Sequence, residues 1–257
     1  MSDNDRVVRE LLSQIGIDNV TGIIDSIKEY TNMMLYWNEK FNITSITEYD
    51  EILIKHFIDS IAVLNFFDFN NKEVVDVGTG AGFPGIAIHL VFNNFNLTLI
   101  ESRKKKANFL RKVISELSLQ NINVIEDRAE NIGKNKYYRE KFDLCLSRAV
   151  AEPNVLLELC LPLVKIGGYL ISWENNKSNG VDGNKKENDN VGNNGRELIL
   201  GGKFIERIYY IDNIKSRVSL NNFNIDDSRY YAVYNKIDRA PQKYPRKPGI
   251  PKKRPIL

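Results

Sequence analysis

Glu73-Val74-Val75-Asp76-Val77-Gly78-Thr79-Gly80-Ala81-Gly82-Phe83-Pro84-Gly85 is the stretch that decides the fold. Its β-branched start reads as a short buried strand. The glycines that follow let the chain turn sharply and approach a ligand with bare backbone. Ile86 to Phe92 reads as the next helix. Strand, glycine turn and helix N-terminus make a nucleotide-type pocket at the C-terminal edge of a parallel sheet.

Working outward, the same alternation continues. Leu97–Glu101 is expected as a second strand, Lys104–Leu119 as an amphipathic helix and Ile122–Ile125 as a third strand. Phe142–Leu146 reads as a fourth strand, Asn154–Val164 as a helix and Gly168–Trp173 as a fifth strand. Such alternation implies a parallel sheet covered on both faces. Phe204–Ile211 and Arg229–Asn235 read as two further strands, an antiparallel pair at the sheet edge. Before residue 70, apolar residues recur at helical spacing: Ile23, Ile24, Ile27, Tyr30, Met34 and Trp37, then Ile52, Leu53, His56, Ile58, Ile61 and Leu64. The expected organisation is an N-terminal helical extension (1–70) packed on a core (71–240), followed by a basic, proline-rich tail (241–257). Within the core, Asn175 to Gly195 is almost free of apolar residues and reads as a disordered insertion.

The spacing of the turn bears on its ligand. A dinucleotide fingerprint wants glycine at the first, third and sixth positions; here the sixth is Phe83, and the extra glycine is Gly82. A bulky residue there opposes close approach of a pyrophosphate. A carboxylate at Asp76 would repel phosphates but suit a cationic sulfonium and ammonium. The pattern therefore points to S-adenosylmethionine over NAD, with a ligand-free glycine turn as the bland alternative. Glu101, 23 residues beyond Gly78, is placed to accept bonds from ribose hydroxyls, or else to cap the helix that follows. Asp127-Arg128-Ala129-Glu130 follows the third strand, where an adenine would lie. Ser147-Arg148-Ala149-Val150 follows the fourth, where a transferred methyl group would emerge. No Asp/Asn-Pro-Pro-aromatic run occurs there, and Cys145 and Cys160 sit in apolar runs, expected as buried thiols and not as nucleophiles. His56 reads as a structural histidine.

Bulk properties describe one ordinary soluble domain with extensions: 257 residues, 42% hydrophobic and 27% charged. No apolar run approaches a membrane span and no signal peptide or cysteine framework is apparent, so a cytoplasmic protein is expected. The net charge of +3 conceals a tail balance of +7 from Lys236 to Leu257 against −4 elsewhere. Prolines interleave the tail's cations, so an extended chain is expected, suited to tracking a phosphate backbone or simply solvated.

Taken together, Trp37-Asn38, Asn42-Ile43-Thr44, His56-Phe57-Ile58-Asp59-Ser60, Asp76 to Gly85, Arg128-Ala129-Glu130, Ser147-Arg148-Ala149 and Lys243-Tyr244-Pro245-Arg246-Lys247-Pro248-Gly249 resemble the RsmG (GidB) family of bacterial 16S ribosomal RNA methyltransferases. The resemblance runs from about residue 30 to the C-terminus, apart from the insertion. It implies a Rossmann-like class I methyltransferase with a mostly parallel seven-stranded sheet. The implied reaction is S-adenosylmethionine-dependent methylation of N7 of guanine 527, in the 530 loop. The cofactor would leave as S-adenosylhomocysteine, and no metal is implied. Gly78, Gly80, Phe83, Glu101, Ala129, Glu130 and Arg148 are the expected cofactor residues, with Arg148 on the cofactor or a phosphate and not against N7. Lys243, Arg246 and Lys247 are the expected RNA contacts, with Tyr244 as a stacking partner. Deleting residues 242–257 is then expected to weaken RNA binding while cofactor binding survives. The partner would be 16S RNA or a precursor of the small subunit, and the enzyme a monomer without membrane association. Two departures stand out: Trp173-Glu174 where the family usually has a lysine, and the Asn-rich stretch in place of a short helix. A small-molecule or protein methyltransferase, a non-catalytic RNA-binding module and an NAD-dependent dehydrogenase are the rival readings.

Overall fold

The computed structural model describes residues 3–14, 16, 17, 19–175, 195–211 and 228–256. Seven strands form one sheet: β1 (Glu73–Val77), β2 (Asn96–Ile100), β3 (Ile122–Ile125), β4 (Phe142–Arg148), β5 (Val164–Asn175), β6 (Gly202–Ile208) and β7 (Arg229–Lys236), in the order β3-β2-β1-β4-β5-β7-β6. β1 to β5 pair in parallel, while β7 runs antiparallel to both β5 and β6. The two late strands thus form the expected antiparallel pair, with β7 joining it to the parallel sheet. The five parallel strands bring their C-terminal ends to one edge, which is where a crevice for a ligand opens.

Alternation along the strands sorts the core into two layers. Val74, Leu97, Leu99, Leu144 and Leu146 join one cluster, while Val75, Val77, Ile100 and Cys145 join the other. A period of two points successive side chains to opposite faces, so both faces must be covered. The first face carries α1 (Asp3–Gln14), α2 (Val20–Phe41), α3 (Tyr49–Ile52), α4 (Asp59–Ile61), α5 (Gly85–Val91) and α6 (Lys104–Glu116). The second carries α7 (Ala129–Ile132) and α8 (Pro153–Cys160), with α9 (Arg196–Ile199) and α10 (Ile250–Lys253) at its flank. Between α3 and α4 the chain widens into a π-helical segment, Leu53–Ile58. Such segments are frequent at functional sites.

The expected helix Asn154–Val164 ends at Cys160, and the fifth strand begins at Val164, because Pro162 cannot continue a helix. Cys145 and Cys160 are buried free thiols, as their apolar neighbours implied. Residues 176–194, most of the expected insertion, lie outside the described residues. Among the described residues no helix is long and apolar enough to cross a membrane.

The tail departs from an extended chain. Ile250–Lys253 forms a helical turn, with Pro251 in its first positions, where a missing N–H costs nothing. The segment leading to it is fastened to the core. Arg139 donates to the carbonyls of Gly133 (2.8 Å), Tyr244 (2.7 Å) and Ala240 (2.6 Å). Glu140 accepts from the Ala240 amide at 2.8 Å. Buried Lys236 donates to the carbonyls of Leu161 (3.0 Å) and Leu200 (2.8 Å), and burial lowers its pKa to about 8.

Candidate cofactor and substrate site

The glycine turn is held from beneath by Asp76. Its Oδ2 accepts from the Thr79 hydroxyl (2.7 Å) and the Gly85 amide (2.9 Å), closing the loop between strand and helix. Asp76 is fully buried, and burial raises its pKa to about 6 against the lowering effect of these two bonds. This corrects the expectation that its carboxylate greets a cationic cofactor: the group is a brace. Gly80, at φ +62°, is different. A β-carbon there would meet nothing closer than the Gly78 carbonyl and the Lys106 ammonium, both at 3.8 Å. The backbone at Gly80 therefore borders open space. Its amide donates to Glu101 Oε2 at 3.1 Å, while Glu101 Oε1 accepts from the Arg103 amide at 2.7 Å. Glu101 both ties the turn to the end of β2 and holds the amide of Arg103, the residue before α6.

An aromatic stack supports the turn from the N-terminal extension. Phe83 lies between Tyr30 and His56, with ring centroids at 5.5 and 4.7 Å, and meets the edge of Phe57 at 5.0 Å. The Tyr30 hydroxyl donates to the Ala81 carbonyl inside the loop. A β-carbon at Gly82 (φ +97°) would collide with that hydroxyl. Phe83 is 6% exposed, so it shapes the turn from inside and offers a ligand little surface.

Arg148, at the end of β4, reaches across the sheet edge to the π-helical segment. It donates to the Lys55 carbonyl and to His56 Nδ1 (3.1 Å), and its Nη1 lies 3.0 Å from the Asp59 carboxylate. A guanidinium only donates, so His56 Nδ1 accepts and its proton sits on Nε2, which donates to the Thr44 hydroxyl at 3.1 Å. Burial first, then the Arg148 charge, lowers the His56 pKa to about 3. Asp59 is 4% exposed and also receives Arg229 (2.6 Å) and the Tyr210 hydroxyl. One buried carboxylate thus serves both arginines and offsets one of their two charges.

At the end of β3, Ala129 and Glu130 open α7. Glu130 is 4% exposed and its Oε1 accepts from the Gly249 amide of the tail at 3.0 Å. Arg246 corrects another expectation. Its backbone amide (2.7 Å) and Nε (2.9 Å) donate to Glu158, which is fully buried, so this guanidinium is a tail anchor and not a free phosphate ligand. Lys243 and Lys247 are exposed, as are Lys252, Lys253 and Arg254. Beside the turn, a cleft of about 420 Å³ opens along the ends of β4 and β5, bordered by Val150, Glu152, Pro153, Glu174 and Arg229.

A sequence model of the GidB family, rRNA small subunit methyltransferase G, matches residues 23–188. A relative from Dictyoglomus thermophilum, called ribosomal RNA small subunit methyltransferase G, is 40% identical over 98% of this chain and 97% of its own length. One of the same name from Acetivibrio thermocellus is 38% identical over the full length of both. This chain belongs to that family. Among solved structures, a methyltransferase determined with the Trm112 activator of Haloferax volcanii superposes with a TM-score of 0.54. It is 13% identical, and the match covers 80% of this chain and 98% of that one, a likeness of fold alone.

With the chain placed in the methyltransferase G family, the fit of a cofactor can be judged from its own residues. Gly78, Gly80, Glu101, Ala129 and Glu130 lie at the ends of β1, β2 and β3, on one edge. Each Glu101 oxygen holds one backbone N–H and keeps a second acceptor position, which a pair of ribose hydroxyls can use. The open space off Gly80 and the Lys106 ammonium beside it suit an amino-acid moiety with a carboxylate. These residues fit S-adenosylmethionine. Sequence reasoning missed Tyr30, Asp59 and Lys106. Lys106 lay within the expected helix Lys104–Leu119, Tyr30 within helical periodicity, and Asp59 within the His56–Ser60 signature with no role assigned to it.

Proposed function

We propose that this protein transfers the methyl group of S-adenosylmethionine to N7 of guanine 527 in 16S ribosomal RNA. The observation that carries this reading is the glycine turn whose amide at Gly80 is held by Glu101 from the neighbouring strand, beside an open cleft at the ends of β4 and β5. Membership of the methyltransferase G family supports the RNA substrate.

The cofactor supplies a methyl group already activated by the sulfonium. Guanine N7 carries a lone pair and no proton, so the protein needs no general base. The nearby imidazole agrees with this. His56 is held neutral, with a pKa of about 3, and both its lone pair at Nδ1 and its N–H at Nε2 are engaged by Arg148 and Thr44. The chain's work is then positioning, in principle worth up to about 7–11 kcal/mol. Glu101 fixes the turn, Asp76 locks the loop, and Asp59 holds Arg148 and Arg229 and offsets one of their two charges, which lessens the repulsion of a base becoming cationic. N7 lies on the deep groove edge of A-form RNA, so the target must be unpaired or splayed out. The exposed tail lysines would then hold the flanking phosphates.

Mass mapping of nuclease fragments of 16S RNA, from cells with and without this gene, tests the reading. The expected result is loss of one 7-methylguanine, at guanine 527. An unchanged fragment pattern would overturn it.

A further inference from the structure

We propose that the cleft beside the glycine turn receives the target guanine and that Glu152 reads its Watson–Crick edge; this rests on the guanine-N7 reading above. The cleft adjoins the turn directly, since a β-carbon at Gly78 would stand 2.6 Å from a methyl of Val150, which lines it. Its volume of about 420 Å³ lies in the range of small-ligand pockets, about 300–1,000 Å³. At Ala149 the chain leaves β4 with φ +53°, a left-handed conformation that non-glycine residues rarely adopt and that concentrates at functional sites. This bend presents Val150, Glu152 and Pro153 along one side of the cleft.

The polar character of the lining selects the base. Arg148 and Arg229 both border the cleft and both bind buried Asp59, which offsets one of their two charges; Glu152 and Glu174 outweigh the other. What remains is carboxylate. Glu174 accepts from the Tyr230 hydroxyl at 3.1 Å. Glu152 is exposed at the N-cap of α8, yet its side chain makes no capping bond, and among the described residues it forms no ion pair. A carboxylate accepts two parallel N–H bonds. Guanine offers such a pair, N1–H and the 2-amino group, on the edge opposite N7. Adenine presents an unprotonated N1 there and would be repelled. Guanine held by that edge on Glu152 keeps N7 on the far side of the base, free to face the glycine turn that adjoins the cleft. Apolar Val150, Pro153 and Leu156 suit the ring faces.

The test uses full-length protein and small subunits reconstituted with 16S RNA carrying either guanine or inosine at the target; inosine lacks the 2-amino group. Glu152→Gln and Glu152→Ala are compared with wild type for methyl transfer and for cofactor affinity by titration. The expected result is a fall of about 10- to 100-fold in kcat/KM on guanine, the scale of a hydrogen bond to a charged group. On inosine, which keeps N1–H, the loss should be several-fold smaller than on guanine. Cofactor affinity should hold. No loss on guanine, or equal loss on both substrates, overturns the proposal. Wild type forming no 7-methylguanine on the guanine subunits would instead fail the methylation reading itself, and the proposal with it.

Discussion

Tyr30 shows how far a single remote hydroxyl can govern the ligand loop. Its bond to the Ala81 carbonyl is buried, so Tyr30→Phe should leave that carbonyl unsatisfied at a cost of about 1–3 kcal/mol. Urea unfolding and cofactor titration should both register the change; an unaltered urea midpoint would mean that the bond contributes nothing. His56 and Asp76 make a second residue-level case, because their titrations oppose each other. The His56 pKa falls from 6.5 to about 3 on folding, so the unfolded chain takes up a proton first. Its stabilisation is full above 6.5 and is lost as pH falls towards about 3. Asp76 rises from 3.8 to about 6, so its stabilisation is full below 3.8 and is lost as pH rises through about 6. Replacing His56 with Gln should therefore make stability fall less between pH 6.5 and 4 than in wild type. Parallel curves of urea midpoint against pH would show that His56 does not control this window.

The tail is the element whose role changed most between sequence and structure. Its prolines and cations read as an extended phosphate-tracking chain, yet Arg246 is turned inward to fully buried Glu158. Breaking such a pair leaves an uncompensated buried charge, so Arg246→Ala should cost about 3–5 kcal/mol. The exposed cations are a separate population. Gln at Lys243, Lys247, Lys252, Lys253 and Arg254 should leave the thermal midpoint close to wild type. The same changes should weaken RNA binding and flatten its dependence on salt. Filter binding across a salt series decides this, and an unchanged slope would return these side chains to a merely solvated surface.

For the molecule as a whole, the tail and the cofactor edge are one structure, because the Gly249 amide bonds Glu130 at the end of β3. Deleting residues 242–257 would strip buried Glu158 of Arg246, leave buried Glu130 with Arg128 alone, and remove a carbonyl from Arg139. The truncated protein should consequently melt lower and lose cofactor affinity together with RNA affinity. This replaces the expectation that cofactor binding survives the deletion. Calorimetry of the truncated chain with and without S-adenosylmethionine would measure both effects, and wild-type cofactor affinity there would contradict the linkage.

Local chemistry alone determined the sheet and the position of its functional edge. β-Branched runs and glycine turns act within a few residues, and parallel topology then gathers the strand ends of Gly78, Glu101 and Glu130 without further information. Tertiary structure alone decided which charged groups face a ligand and which brace the protein. Asp76 looked like a cofactor contact and is buried; Arg246 looked like an RNA contact and is paired. Asp59, quoted only as part of the His56–Ser60 signature, became the shared partner of Arg148 and Arg229, which lie far from it in sequence. Periodicity reports which face of an element is apolar, whereas a buried charge is fixed by whichever distant partner offsets its loss of water.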